Sequence, residues 1–162
     1  MEANRSFRWA SAGDYDELAD IMFDAVRNGE SRYTERQREA WVPVRRTGSD
    51  WVERLQAQQI IVAEQEGEAV GFMSLSAVGY LDFAYIRPQA QHSGLFRQLL
   101  SRIVERAIAK RVPMLWTHAS LMAEPAFKSL GFIVRRREQV AIGPETLERC
   151  EMERWLQTEP SL

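Results

Sequence analysis

The sequence predicts a mixed α/β fold, in which a central, mostly antiparallel sheet of about seven strands carries helices on both faces. Two observations support this prediction. Segments of strand-like alternation are interspersed along the chain with segments of helical periodicity. One long helical segment also joins the strand-like segments 80–86 and 114–119, which is the order of a parallel β-α-β crossover.

The first part of the chain combines one strand with three helices. Thr34 and Gln37 have the spacing of a capping box, in which two side chains satisfy free N–H groups at a helix start. Asp50 and Glu53 repeat that spacing. The predicted elements, in chain order, are a strand at 7–10 and helices at 14–27, 34–41 and 50–58.

The second part consists mainly of strands. Glu66-Gly67 and Gly143-Pro144 are turn signals between strands, and Gly131 is placed to end a helix. The predicted elements are strands at 60–65, 69–77, 80–86 and 114–119, a long helix through 96–107, a helix at 123–130, and two strands around Gly143-Pro144.

Length and composition narrow the class of protein. A chain of 162 residues is expected to form one domain, residues 1–162, and to bury about 70% of its unfolded surface. The net charge is -2, whereas nucleic-acid-binding domains usually carry an excess of basic residues. The single cysteine, Cys150, excludes an internal disulfide, and we find neither a membrane-spanning stretch nor a secretion signal. These features predict a cytoplasmic protein without nucleic-acid or membrane partners, and a homodimer is compatible with them.

The junction between the strand at 80–86 and the long helix is the most informative segment. It reads I-R-P-Q-A-Q-H-S-G-L-F-R-Q-L-L from Ile86 to Leu100. The first turn of a helix leaves about four N–H groups without partners, and the helix dipole adds about half a positive charge there. Gly94 has no side chain to hold a ligand away, and it tolerates positive φ. The junction therefore predicts a phosphate-binding site.

This junction resembles the cofactor motif of the GNAT superfamily of acyl-CoA-dependent N-acyltransferases. The segment from Ala119 to Phe132 is similar to a later strand exit, helix and closing G-F of that family, so the resemblance covers about 7–156. It implies the GNAT fold, in which two neighbouring strands splay apart and the pantetheine arm of CoA fills the gap. The motif positions matched here are Ile86, Pro88, Gln91, Gly94, Leu95, Leu99 and Leu100.

The resemblance implies an acetyl-CoA-dependent N-acetyltransferase that acts on a primary amine of a small molecule by direct attack in a ternary complex. Two alternatives stay open, namely a non-catalytic acyl-CoA-binding sensor or subunit, and a nucleotide or phosphosugar binder that uses the same helix end. The cofactor contacts expected from the resemblance are Ala84, Tyr85, Ile86, Gln91, His92, Ser93, Gly94, Leu95, Phe96, Arg97, Ser120 and Phe127.

Two aromatic residues depart from the family pattern. Phe96 stands where the family usually has Gly or Ala, and Phe127 stands where many members carry the Tyr that protonates the leaving thiolate. On a helical wheel Phe96 lies in one stripe with Leu99 and Ile103, so we expect it to pack in the core rather than obstruct the phosphates. Water or Ser120 is expected to assist the leaving thiol.

Asp82 and Ser120 are the expected catalytic residues. Deprotonation of an alkylammonium of pKa ~10.4 at pH 7 costs about 4.6 kcal/mol of free energy, so the reaction needs a base. The resemblance implies that Asp82, on one strand face with Tyr80 and Ala84, takes that proton directly or through water. The alternative is an Asp82 paired with an arginine. Ser120 is expected to contact the pantetheine, or to cap the following helix.

Aromatic residues are the candidates for the acceptor pocket. The segment from Tyr33 to Trp41 resembles one in which some family members wall the acceptor with an aromatic pair, although Trp41 also fits a core position. Tyr80 joins them because it shares the predicted face of Asp82. His118 is expected to be a strand residue with a satisfied ring. Since neither histidine has a second His or Cys at zinc spacing, no metal site is predicted.

Overall fold

Two four-stranded sheets form the centre of the fold in residues 4–156, which are the residues that the computed structural model describes. The strands are β1 Arg5–Trp9, β2 Gln58–Gln65, β3 Glu68–Ser76, β4 Tyr80–Leu81, β5 Ala84–Ile86, β6 Met114–Ser120, β7 Ile133–Ile142 and β8 Glu145–Trp155. The helices are α1 Tyr15–Asn28, α2 Glu35–Trp41, α3 Ser49–Gln56, α4 Leu95–Ala109 and α5 Ala123–Ser129, with short 3-10 turns at Ala12–Asp14 and Pro88–Ala90.

The strand order is β1-β2-β3-β5 in the first sheet and β4-β6-β8-β7 in the second. All neighbours pair antiparallel except β4 and β6, which are parallel. The connection from β4 through β5 and α4 to β6 is thus the predicted parallel crossover. The predicted mixed, mostly antiparallel fold with helices on both faces is confirmed, with eight strand segments in the described residues.

Apolar side chains are buried on both faces of the strands. On one face, α4 inserts Leu95, Leu99, Leu100 and Ile103 into a cluster with residues of both sheets. On the other face, α1 and α3 pack against the first sheet, with Leu18, Ile21, Trp51 and Leu55 fully or almost fully buried. The amphipathic stripes read from the sequence therefore point into two separate cores.

The helix starts show which capping predictions hold. The Thr34 hydroxyl accepts a hydrogen bond from the Gln37 N–H at 3.1 Å, and the Gln37 side chain accepts one from the Thr34 N–H at 2.8 Å, which confirms the first capping box. The second is wrong. Helix α3 begins at Ser49 after Gly48, so Asp50 already lies inside the helix and does not cap it.

The predicted continuous strand at 80–86 is also wrong, because the chain breaks at Asp82 and Phe83. The buried Ser74 holds this break: its hydroxyl accepts from the Phe83 N–H at 2.9 Å, and its own N–H donates to the Phe83 carbonyl at 3.0 Å. The segment before the break pairs with β6, whereas the segment after it pairs with β3.

The break also changes which side chains share a face. Asp82 binds Arg54 and Phe83 packs against Trp51, so two consecutive residues face α3. Ala84 packs instead against the α4 core. The expected common face of Asp82 and Ala84 is therefore wrong, since the strand alternation shifts by one residue between them.

The predicted turns are confirmed. Glu66 and Gly67 both have positive φ, 52° and 84°, as a two-residue hairpin of this type requires. Gly131 ends α5 with φ 94°. Within residues 4–156, none of the helices combines the length and the apolar character that crossing a membrane demands.

Candidate functional site

A cavity of about 730 Å³ opens between the two sheets, where β5 and β6 separate. It is bordered by the end of β5, the loop before α4, the exit of β6 and the start of α5. The predicted residues that line it are Trp41, Ala84, Tyr85, Ile86, Gln91, His92, Ser93, Gly94, Leu95, Phe96 and Ser120.

The gap results from the short pairing of β4 with β6. Only Tyr80 with Trp116, and Leu81 with Thr117, are paired between these strands. At the last paired position the Thr117 hydroxyl donates to the Leu81 carbonyl at 2.8 Å. Beyond it the chain leaves the second sheet for the first, which produces the splay that the resemblance implied.

The edge of β5 that faces away from β3 directs backbone groups towards the gap. Phe83 accepts from the Ser74 N–H, and Arg87 donates to the Val70 carbonyl, so these two positions bond towards β3. In an antiparallel ladder the intervening pairs alternate, which directs the N–H groups of Ala84 and Ile86 towards the gap. A ligand in the gap would therefore meet donors from β5.

The loop before α4 places a helix N-terminus at one end of the cavity. Gly94 precedes the 15-residue α4 with φ 82°, and none of the described side chains caps the helix there. A Cβ at Gly94 would meet no protein atom within 4 Å. The helix end is thus open to an anion, and a phosphate group fits the free N–H groups of its first turn.

Arg5 fastens this loop, which sequence reasoning missed. Its guanidinium donates to the Ser93 carbonyl at 3.0 Å and to the Gln98 side chain at 2.9 Å, and it also contacts the Ser93 hydroxyl. Gln91 ties the other side of the loop, since its amide donates to the Ile86 carbonyl at 3.0 Å. Arg5 and Ser93 are 88 positions apart, so no local pattern links them.

Phe96 both packs on the core and lines the cavity. Its ring is half-buried and meets the fully buried Phe127 edge to face, with centroids 4.9 Å apart. Phe127 does not line the cavity, although its neighbours on α5 do, and Arg97 is also outside the lining. The expected core packing of Phe96 thus holds in part. Phe127 lies in the core below the cavity wall and supports the Phe96 ring.

Asp82 lies outside the cavity lining and is committed to other groups. Its carboxylate accepts from Arg54 at 2.7 and 2.8 Å, and from the Gln58 amide at 2.9 Å. The Arg54 guanidinium in turn stands 4.5 Å above the Phe83 ring. Pairing of Asp82 with an arginine, the alternative left open by the sequence, is what the structure contains.

Of the aromatic candidates for the acceptor pocket, one lines the cavity and another is buried behind it. Trp41 lines the cavity beside Tyr85, with ring centroids 6.2 Å apart. Tyr33 packs edge to face on Trp41 but is only 6% exposed; its hydroxyl donates to the Glu148 carbonyl at 2.6 Å and accepts from the Leu121 N–H. Burial raises the pKa of Tyr33. Tyr33 therefore supports the cavity wall rather than forming it.

Two further predicted residues are polar, Ser120 at the end of β6 and Tyr80 on the neighbouring strand β4. The Ser120 hydroxyl accepts from the Ala123 N–H at 3.2 Å, at the first residue of α5, so it holds the helix start while bordering the cavity. Tyr80 lies outside the lining, and its hydroxyl is 2.8 Å from Nδ1 of His118. The expected satisfied ring of His118 is confirmed. In residues 4–156 there is no group of three His, Cys, Asp or Glu side chains arranged to hold a metal ion.

Comparison with known proteins agrees with this geometry. Residues 30–148 match the family model of the acetyltransferase (GNAT) domain. The chain is 29% identical over 138 residues to the uncharacterized N-acetyltransferase YafP of Escherichia coli (strain K12), covering 85% of this chain and 87% of that protein.

Solved structures share the whole architecture. A GCN5-related N-acetyltransferase from Rhodopseudomonas palustris superimposes with a TM-score of 0.88 at 25% identity, over 96% of this chain and 98% of that one. A phosphinothricin acetyltransferase from Sinorhizobium meliloti, solved in complex with acetyl-CoA, superimposes with a TM-score of 0.73 at 22% identity, over 99% and 94% of the two chains. With a family model matched over most of its length, the chain belongs to the GNAT family of acetyltransferases.

Proposed function

We propose that this chain transfers the acetyl group of acetyl-CoA to the primary amine of a small molecule, by direct attack in a ternary complex. The observation that carries the proposal is the open N-terminus of α4 at one end of a cavity that continues between β5 and β6. An anionic head and an extended arm are what such a site accommodates, and CoA has both.

Two sets of backbone N–H groups would bind the two parts of CoA. The N–H groups at the start of α4 would hold the phosphates, with Gly94 leaving the approach clear. The N–H groups of Ala84 and Ile86 would pair with the amides of the pantetheine arm. When bound, acetyl-CoA supplies an activated acyl group as a thioester. We assign one N–H group of this edge to polarising the thioester carbonyl, and the rest to the pantetheine arm.

We assign the acceptor side to aromatic and polar residues of the same cavity lining. Trp41 and Tyr85 both line the cavity, and aromatic walls suit a flat or cationic amine. Ser120 borders the region where the thiol would leave, and we assign its hydroxyl to assisting that departure. Asp82 already accepts three hydrogen bonds, so we assign it to holding Arg54 and α3 against the strand break.

Binding of acetyl-CoA is tested by thermal unfolding. At one hundred times Kd, a ligand that binds only the folded state adds about 2.7 kcal/mol, which raises the Tm of a domain of this size by about 5 to 11 °C. No shift at millimolar acetyl-CoA would contradict the cofactor assignment. Equal shifts with acetyl-CoA and with adenosine 3′,5′-bisphosphate would indicate a nucleotide site that ignores the pantetheine arm.

Turnover is tested by thiol release with a panel of polyamines, aminoglycosides, amino acids, arylamines and peptides. Release that requires one of these amines supports transfer to it, and mass spectrometry of the product identifies the acylated nitrogen. Binding of acetyl-CoA without release for any amine would instead favour the non-catalytic acyl-CoA-binding module, for which the missing phenol at Phe127 is the structural argument.

A further inference from the structure

The pair formed by Tyr80 and His118 has a chemistry that the proposed site does not yet use. The Tyr80 hydroxyl lies 2.8 Å from Nδ1 of His118, and both rings are half-buried, so they keep access to solvent. Trp116 packs against Tyr80 with centroids 4.4 Å apart and against His118 at 5.8 Å. Both rings of the pair are therefore packed against one aromatic neighbour.

The pair stands at the apex of the gap between the sheets. Tyr80 precedes Leu81, the last residue of β4 paired with β6, and His118 follows Thr117, its partner. Along β6, His118 and Ser120 point to the same face, and residues two apart in a strand are about 7 Å apart. Since Ser120 borders the cavity, the His118 imidazole lies about 7 Å along β6 from the cavity edge.

The surroundings of His118 favour a neutral ring with its proton on Nε2. Glu138 Oε1 lies 3.7 Å from Nε2, which attracts a proton to that nitrogen and leaves Nδ1 to accept from Tyr80. Burial, followed by the charge of Arg149, lowers the pKa of His118 below its usual value. The groups that face the ring are Tyr80 on β4, Arg149 and Glu151 on β8, and Arg136 and Glu138 on β7.

Tyr80 is held as a neutral phenol. Burial, followed by the negative charge of Asp82, raises the pKa of Tyr80, so the hydroxyl keeps its proton at neutral pH. A phenol that donates to an imidazole still has a free lone pair. It can therefore accept a proton on one side while it releases its own on the other.

We propose that Tyr80 and His118 form the proton relay that deprotonates the acceptor amine. The inference rests on the proposed function. One ammonium proton moves through a bridging water at the cavity edge to Tyr80 Oη as the phenol proton moves to Nδ1 of His118, and Glu138 stabilises the resulting imidazolium. The neutral amine nitrogen then attacks the thioester carbonyl carbon, so that a C–N bond forms and the C–S bond breaks. The second amine proton leaves with the sulfur as the thiol, and His118 returns its proton to water.

The kinetic test compares two amines of similar shape, ethylamine and 2,2,2-trifluoroethylamine, of which only the first is almost fully protonated at pH 7. His118→Gln and Tyr80→Phe should lower kcat/KM for ethylamine by about 10²- to 10⁴-fold. The loss should be much smaller for trifluoroethylamine, which has little proton to lose. Raising the pH should recover part of the ethylamine rate in both variants.

Trp116→Phe is the matched control, because it disturbs packing beside both rings and removes neither group. It should leave the ratio of the two rates at its wild-type value. Equal losses for both amines in His118→Gln and Tyr80→Phe would overturn the relay and leave a structural role. Absence of thiol release from the wild-type protein with every amine in the panel would instead overturn the proposed function, and the relay with it.

A measurement without turnover tests the relay directly. Nuclear magnetic resonance of the imidazole nitrogens reports which one carries the proton in the neutral ring. The relay requires the proton on Nε2 in the wild-type protein, with the pKa of His118 raised in Tyr80→Phe, since the lost hydrogen bond had favoured the neutral form. A neutral ring protonated on Nδ1 would overturn the relay whatever the activity.

Discussion

Asp82 and Arg54 form a two-pronged ion pair, in which Nε and Nη2 of the guanidinium lie 2.8 and 2.7 Å from the two carboxylate oxygens. The pair joins α3 to the break between β4 and β5. It also holds the guanidinium over Phe83, at 4.5 Å from the ring centroid. The carboxylate that the family resemblance suggested as a base is thus engaged in an ion pair beside the gap.

Asp82→Asn distinguishes the two roles of this residue. We expect a loss of about 1 kcal/mol in the free energy of unfolding, because a charge-assisted pair is weakened but Arg54 is partly exposed. The turnover of an alkylamine should fall less than about tenfold, since the relay lies elsewhere. Urea unfolding and steady-state rates measure the two effects. A far larger rate loss that high pH rescues would return the base to Asp82.

Gly94→Val should abolish the acetyl-CoA-dependent rise in Tm. The new side chain would project into the open space before α4 and would also strain the backbone at φ 82°. Gly67→Val is the matched control, because Gly67 has φ 84° and equally open space but lies in the β2-β3 turn. Both variants should lose similar stability, while only Gly94→Val loses the shift. If both keep it, the helix end does not bind the phosphates.

Phe96→Ala measures how far the half-buried ring serves packing. A fully buried Phe typically contributes about 3 to 5 kcal/mol, so Phe96→Ala should cost less than that, and Phe127→Ala should cost the full amount. The acetyl-CoA affinity of the folded protein should change little in Phe96→Ala, as measured by calorimetry. Markedly tighter binding would show that the ring obstructs the cofactor.

The stability of the fold should depend on pH through His118. The pKa of His118 is lower in the folded protein than its ordinary value of about 6.5, so the unfolded chain binds the proton more readily. The contribution of His118 is therefore present above pH ~6.5 and is lost as the pH falls through the folded pKa. His118→Gln should remove that loss. Urea unfolding of both proteins on either side of pH 6.5 should show the difference shrinking at acid pH.

Local chemistry explains which predictions from sequence succeed. The capping box of Thr34 and Gln37 spans three residues, and the proline, glycine and leucine pattern around Gly94 is contiguous. Such features depend on backbone groups within one or two turns. For this reason the loop before α4 and most element boundaries could be predicted within a few residues.

The missed features depend on contacts between distant positions. The strand break at Phe83 requires the hydroxyl of Ser74, and the fate of the Asp82 carboxylate is decided by Arg54, 28 positions earlier. The pairing of Tyr80 with His118 spans 38 positions. Periodicity assigns each of these residues to one face of its strand, but it does not identify the distant residue that the side chain contacts there.

The contact between Arg5 and Ser93 has a practical consequence for preparing the protein. Arg5 lies at the first position of β1, yet it fastens the loop in which we place the cofactor phosphates. A fused segment that disturbed Arg5 would therefore also disturb that loop. A change at the end of β8 would lie farther away, because Trp155 pairs with Met114, about 20 Å along β6 from Ser120 and the cavity.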